Sequence, residues 1–163
     1  MKTYTYLNLT LLLSFTAGGQ QAPKPEPVTA QQILAWSAGG MLGDHLKEEI
    51  VNRGLAFQSD QEFLNTLKDA GVEAEVVGLV AKCAGTAGES KSGMVKNPVS
   101  GHVVAGALAL HQKDLAKAQS ELKAALNLEP RNPDLMYALA LALSRQDDWV
   151  ASESLYRDTD GFA

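Results

Sequence analysis

Hydrophobic residues recur at helical spacing along most of the chain, and no segment shows the period-two alternation of a β-strand. Between residues 29 and 84 the pattern divides into short segments that Gly-containing turns separate. One of these segments, for example, places Phe63, Leu64 and Leu67 on one side of a helix. The pattern therefore predicts an all-α protein that begins with a small helical bundle over residues 29–84.

Start and stop signals bound these predicted helices. Thr29 followed by Gln32, and Ser59 followed by Glu62, have the spacing of capping boxes, in which two side chains and two backbone N–H groups pair reciprocally. Gly54 can take the left-handed conformation that often ends a helix. The second helix is predicted to bury one apolar face, formed by Leu42, Leu46, Ile50 and Val51.

The first residues have the pattern of an export signal. Lys2 precedes an uncharged apolar run over residues 7–17, and small residues follow at positions 17–19. The run is too short to span a bilayer of about 30 Å, and the order of these features is typical of a signal peptide over residues 1–19. The alternative is a buried N-terminal helix. We expect an exported protein, periplasmic or secreted, with no membrane span after signal removal.

Two further segments have compositions typical of linkers. Residues 20–28 contain Pro23, Pro25 and Pro27, which favour an extended conformation. Residues 85–98 combine Gly, Ser, Thr and Lys without hydrophobic periodicity. We therefore expect a helical unit over 29–84, a flexible linker over 85–98 and a second unit over 99–163.

The second unit repeats itself at an interval of 34 residues, which is the length of a helix–turn–helix repeat. In such a repeat, small residues let the two helices approach each other and large residues fill the space beside them. The acidic residue at each turn is predicted to cap the second helix. The aligned pairs are Gly106 with Ala140, Gln112 with Gln146, Asp114 with Asp148, Leu115 with Trp149, Ala118 with Ser152 and Leu122 with Tyr156.

Because of these pairs and the segment ALNLEPRNP at residues 125–133, the second unit resembles the tetratricopeptide repeat (TPR) family. The resemblance covers residues 99–163, with an incomplete second repeat, and implies antiparallel helical hairpins that begin an α-solenoid. The chain departs from the family where Ala105 replaces the usual Leu and Ser152 the usual Ala. Residues 33–40, 53–57 and 67–71 make the first unit similar to a small helical domain that precedes TPR arrays in exported bacterial proteins.

The resemblance implies that the first helices of the hairpins line a concave face, and that this face binds a peptide or protein partner. A clamp for a peptide carboxylate is not expected, because only Arg145 has a suitable side chain. The alternative is that the apolar members are core under a neighbouring helix, since a solenoid normally needs three or more repeats. The repeat register places on this face Val103, Ala107, Leu110, His111, Tyr137, Leu141, Ser144 and Arg145.

Composition and spacing favour a non-enzymatic interaction module. The 163 residues carry a net charge of -5 without a basic run, so a nucleic-acid partner is not expected. Cys83 is the single Cys and continues an apolar face, which suggests a packing role. His102 and His111 are about 13 Å apart along one predicted helix, so they cannot share a metal ion. No phosphate-binding loop or nucleophile motif occurs, so we expect no catalytic site and no cofactor.

Several other hypotheses stay open at this stage. The chain could be the N-terminal fragment of a larger TPR protein whose missing part carries further repeats or an enzyme domain. A helical hydrolase that uses Glu48 or Cys83 is a further alternative. Trp36 and Trp149 are predicted to be packing anchors. Apolar residues at the open repeat end would favour a homodimer, and those predicted to be exposed there are Leu139, Leu143, Leu155 and Tyr156.

Overall fold

Helices form where the hydrophobic pattern predicts them. The structure, a computed structural model, describes residues 25–83 and 97–160, and the all-α class is confirmed for these residues. The predicted signal peptide over 1–19 and most of the two predicted linkers lie outside the described residues. The helices are α1 (Ala30–Ala38), α2 (Gly43–Arg53), α3 (Gln61–Asp69), α4 (Ala74–Cys83), α5 (Pro98–His111), α6 (Leu115–Leu128), α7 (Pro133–Ser144) and α8 (Trp149–Asp160).

The predicted start of α1 and the predicted end of α2 are confirmed. At the start of α1, the Thr29 hydroxyl oxygen accepts a hydrogen bond from the Gln32 N–H at 3.1 Å. The Thr29 N–H donates in return to the Gln32 side chain at 3.0 Å, which completes the capping box. Helix α2 ends at Gly54, whose φ of 76° lies in the left-handed region that side chains disfavour.

Helix α3 is capped by Asp60, so the predicted capping box at Ser59 is wrong. The Asp60 carboxylate accepts a hydrogen bond from the Phe63 N–H at 2.8 Å. The Ser59 hydroxyl instead donates to the Val80 carbonyl at 3.5 Å. A carboxylate at this position also interacts favourably with the helix dipole, which a hydroxyl does not do to the same extent.

We expect Asp60→Ala to lower the free energy of unfolding by about 0.5–2 kcal/mol, because α3 loses its N-cap. Ser59→Ala is the matched control and should lower it by roughly 0.5 kcal/mol or less, since its 3.5 Å hydrogen bond is long and weak. Urea denaturation followed by circular dichroism measures both. A larger loss for Ser59→Ala than for Asp60→Ala would contradict the capping role of Asp60.

Only part of the predicted apolar face of α2 is buried. Leu46 and Ile50 pack in the core, whereas Leu42 and Val51 are 67% and 66% exposed. Leu42 precedes the first turn as the N-cap, and Val51 lies about 100° around the helix from Ile50. The main contacts of α2 are with α4 and α1, so α2 packs against the core through a narrower apolar stripe than predicted.

Val28, the last residue of the predicted linker over 20–28, is part of the core. Its side chain is fully buried, and its backbone pairs with the segment after α2. The Val28 N–H donates to the Gly54 carbonyl and the Ala56 N–H donates to the Val28 carbonyl, each at 2.9 Å. The buried side chains of Leu55 and Phe57 lie in this same connector. The folded unit therefore begins at Val28 rather than at the capping residue.

The 34-residue period of the sequence is also present in the backbone of the two C-terminal hairpins. Lys113 and Asp147 occupy the same turn position and share a left-handed φ, at 63° and 62°. The next residue in each turn, Asp114 or Asp148, caps the second helix as predicted, by accepting from a backbone N–H at 3.1 Å or 3.3 Å. Helices α5 and α6 thus form one hairpin and α7 and α8 a second hairpin with the same turn.

The predicted close approach within each hairpin is confirmed. A Cβ added to Gly106 on α5 would lie 2.8 Å from Leu122 Cγ on α6, and Leu122 itself is fully buried. In the second hairpin, the Ser152 hydroxyl donates to the Ala140 carbonyl at 2.9 Å. The departure from Ala at Ser152 is therefore accommodated, because the buried hydroxyl has an acceptor on the facing helix.

Helix α1 packs mainly against the C-terminal hairpins. Its most extensive contacts are with α5 and α7, and it has fewer contacts with α2. Ile33, Leu34 and Ala35 are buried in this packing, and they belong to one hydrophobic cluster that includes residues of both predicted units. The predicted division at residues 85–98 therefore does not separate two independent cores among the described residues.

Candidate functional site

The predicted concave face consists of a covered half and an accessible half. In the first hairpin, Val103, Ala107 and Leu110 are buried, and only His111 is exposed. In the second hairpin, the residues one repeat later are Tyr137 and Arg145, which are exposed, and Leu141 and Ser144, which are half-buried. The buried first half matches the alternative that these positions are core under a neighbouring helix.

Helix α1 is the element that covers the first half. It lies in the groove between α5 and α7, and its C-terminal end approaches α7 closely. A Cβ on Gly39 would lie 3.5 Å from the Ala138 nitrogen, and one on Gly40 would lie 3.1 Å from Leu141 Cδ2. The groove that the sequence predicts as a partner site is thus filled along part of its length by the protein's own helix.

Polar contacts at the start of α7 hold α1 in this groove. The Trp36 indole N–H donates to the Asp134 carboxylate at 2.5 Å, and the Gln31 amide donates to the Glu129 carboxylate at 2.9 Å. The Asn132 amide also donates to Glu129, at 2.7 Å. These partners lie about one hundred positions from α1 in the sequence, so the pattern of neither segment identifies them.

Trp36 is a packing residue, as predicted, but Trp149 is not. The Trp36 ring is half-buried and lies under the Arg53 guanidinium, whose carbon is 5.4 Å from the ring centroid. Trp149 opens α8 and is 63% exposed, as is its neighbour Val150 at 82%. Trp149 aligns with Leu115 one repeat earlier, which packs against the core, so no described element buries this position in the second hairpin.

The accessible half of the face contains two tyrosines. Tyr137 on α7 is 43% exposed, and its ring centroid lies 5.6 Å from that of Tyr156 on α8. One repeat earlier, the equivalent residues Val103 and Leu122 are both fully buried. The difference arises because α1 and α7 cover the first hairpin, and no described helix covers the second in the same way.

Two residues predicted to be exposed at the open end are not. Leu139 and Leu143 are buried on the inner side of α7, so the prediction that they form an exposed patch is wrong. Leu155 and Tyr156 are half-buried. The reason is the helical register, which places Leu139 and Leu143 in the hydrophobic core and leaves Tyr137 exposed.

A cleft of about 540 Å³ remains at the far end of the groove, beyond the last turn of α1. The end of α1, the α3–α4 turn, the turn from α5 to α6 and the end of α7 line this open cleft. Among the described residues, three basic side chains line it, His111, Lys113 and Arg145, and no acidic side chain does. Lys113 was not among the predicted site residues, because its turn position, rather than a helix face, brings it to the cleft.

The residues considered for chemistry are dispersed. His102 on α5 pairs with Glu121 on α6, with 2.7 Å between Nδ1 and Oε2. Glu48 is exposed on α2, and Cys83 is half-buried at the end of α4. Within the two described ranges, no group of three His, Cys, Asp or Glu side chains could hold a metal ion.

An exposed ionic cluster joins α2 to α4. Lys47 Nζ lies 2.7 Å from the Asp44 carboxylate and 2.6 Å from the Glu75 carboxylate. The hydrogen bond from Lys47 lowers the pKa of Asp44, and the bonds to Asp44 and Glu75 raise the pKa of Lys47. Both carboxylates are largely exposed, so solvent screens this cluster and we assign it a surface role only.

Comparison with known proteins gives no indication of function, so the function is inferred from this geometry. No protein-family model, curated protein or solved structure matches the chain. None of the helices in residues 25–83 and 97–160 is long and apolar enough to cross a membrane.

Proposed function

We propose that this chain is a non-enzymatic protein-interaction module, and that its two C-terminal hairpins, which resemble TPR hairpins, bind a helical segment of a partner protein. The apolar N-terminal run and the small residues after it support export to the periplasm or the exterior as the setting. In this proposal the partner binds the second hairpin, because α1 covers the matching face of the first.

The observation that carries the proposal is the unequal burial of equivalent residues one repeat apart. Val103 is fully buried under neighbouring helices, and Tyr137 is 43% exposed at the same register position. The turn that precedes the second helix has the same geometry in both hairpins. A helix placed on the second hairpin as α1 is placed on the first would therefore cover Tyr137.

The side chains on this surface suit a helix with an apolar face. Tyr137 and Tyr156 form a tilted ring pair, and tyrosine rings combine a large apolar area with a polar hydroxyl group. Tyrosine is enriched among the residues that dominate binding energy in protein interfaces. Half-buried Leu141 extends the apolar area along α7, and Arg145 supplies a charge at its end.

We expect Tyr137→Glu to weaken partner binding tenfold or more, because a carboxylate would be buried against an apolar helix face. Full-length wild-type chain and variant, immobilised at equal density, are compared by quantitative mass spectrometry of proteins captured from extracts of the producing cells. Val51→Glu is the control, since Val51 is also exposed, at 66% against 43% for Tyr137, but lies on α2.

The proposal is supported if wild type and Val51→Glu recover the same proteins and Tyr137→Glu loses them. It is wrong if every captured protein is recovered equally by all three forms. Recovery of the chain itself in a Tyr137-dependent manner would identify a second copy as the partner, and sedimentation of the purified protein would then show a dimer that Tyr137→Glu dissociates.

A further inference from the structure

The cleft beyond the end of α1 has the size of a small-molecule site. Its volume of about 540 Å³ lies within the range of about 300–1,000 Å³ that is usual for ligand pockets. Ala107, Leu110 and Leu115 provide apolar walls. Gly71 at the α3–α4 turn lies against the His111 ring, where a Cβ would collide with it, so the turn and the imidazole close one side of the cleft.

The charges that line this cleft have one sign. Lys113 lies in the turn after α5 and Arg145 at the C-terminal end of α7. The His111 imidazole, which lies beside Gly71, can donate a further hydrogen bond. No carboxylate of residues 25–83 and 97–160 lines the cleft, although the chain as a whole has a net charge of -5. A concave surface whose charges have a single sign concentrates oppositely charged ligands.

A purely structural role for these cations can be distinguished from binding. Arg145 is the C-cap residue of α7, and Lys113 follows the C-cap of α5, so both cations also interact favourably with the negative ends of helix dipoles. That role needs neither apolar walls nor a cleft between four segments of the chain. It predicts an effect of substitution on stability and none on the binding of small molecules.

We propose that this cleft binds a small organic oxyanion, in which an apolar body carries a carboxylate or phosphate head group. Arg145 and Lys113 bind the head group, with the forked guanidinium donors of Arg145 matched to two oxygens. The body lies against Leu110 and Leu115. This inference does not rest on the proposed partner site. Arg145 belongs to both surfaces, but Tyr137 and Tyr156, on which the partner site depends, do not line the cleft.

The test is isothermal titration calorimetry of the full chain with four probes: hexanoate, hexyl phosphate, hexanol and inorganic phosphate. We expect one or both amphiphilic anions to bind, and hexanol and inorganic phosphate to bind at least tenfold more weakly. Arg145→Gln and Lys113→Gln should each weaken binding of the anion tenfold or more. Arg131→Gln and Lys123→Gln remove the same charge at exposed positions outside the cleft and should leave the affinity unchanged.

The absence of binding by both amphiphilic anions would overturn the proposal, as would equal affinity for hexanol or equal losses in the control variants. Amide spectra of the wild-type protein provide a second readout that does not depend on the variants. On titration with the anion that binds, the amide of Gly71, which lines the cleft, should shift, while the amide of Gly101, which lies on α5 outside the cleft, should not. Shifts spread evenly over the helices would also contradict a site in this cleft.

Discussion

Gly106→Ala is expected to leave the protein about 1–3 kcal/mol less stable than Gly101→Ala, although both glycines lie on α5. A Cβ at position 106 would lie 2.8 Å from Leu122 Cγ and 2.9 Å from Leu122 Cδ2, and Leu122 is fully buried. Accommodating such an overpacked methyl group costs about 1–3 kcal/mol. At position 101 nothing lies within 4 Å of an added Cβ, so only helix propensity acts there, and this stabilises by about 0.5–1 kcal/mol.

Comparing Gly106→Ala with Gly101→Ala is informative because both substitutions gain helix propensity, and this gain cancels in the difference between their stabilities. Urea denaturation of the wild type and the two variants measures the difference in free energy of unfolding. A double-mutant cycle locates its cause. Leu122→Ala alone should cost about 2–5 kcal/mol, and it should cost less in the Gly106→Ala background, where the collision is removed. Equal stabilities of the two single variants would contradict the close approach of α5 and α6.

Features that depend on one turn or one hairpin could be predicted from the sequence. The capping box of Thr29 and Gln32 is complete within four residues, and the approach of Gly106 to Leu122 requires only that two adjacent helices be antiparallel. The error at α3 was also local. Ser59 and Asp60 are adjacent and both are good N-cap residues. The spacing from Ser59 to Glu62 favours Ser59, but in the structure the Asp60 carboxylate accepts the hydrogen bond from the Phe63 N–H.

The position of α1 could not be predicted in this way. The Gln31 amide donates to the Glu129 carboxylate, 98 positions away. The hydrophobic pattern of α1 is equally compatible with packing against α2 and with packing against α5 and α7. The Gly39–Gly40 pair lies at one of the Gly-containing turns, and Gly39 is the C-cap of α1. The close approach of this pair to Ala138 and Leu141 on α7 becomes apparent only when both helices are in place.

The same limit applies to the candidate site. The repeat register predicts which residues share a face, so Val103 and Tyr137 were assigned the same role. Register does not predict what covers that face, and α1 buries one of these residues and leaves the other exposed. The repeat register assigns residues to helix faces, so it does not predict a role for Lys113, which lies in a turn. In the structure Lys113 has a left-handed φ and lines the cleft.

The packing of α1 leads to the second large effect, that of Ile33→Ala. Ile33 is fully buried, and removal of three carbons from such a site costs about 2–5 kcal/mol. Because the main contacts of α1 are with α5 and α7, we expect the loss to extend to the hairpins. Native-state hydrogen exchange should show reduced protection of the Val103 and Ala107 amides on α5, together with a lower urea midpoint.

Val51→Ala provides the control, because Val51 is 66% exposed on α2 and should change stability by no more than roughly 0.5 kcal/mol. If Ile33→Ala reduced protection only in α2, α3 and α4, α1 would belong to an independent N-terminal bundle and the groove between α5 and α7 would be free for a partner. Loss of protection in α5 as well means that α1 is a structural part of the hairpin unit. A partner then has access to the second hairpin alone, where Tyr137 lies exposed at the position that Val103 occupies beneath α1.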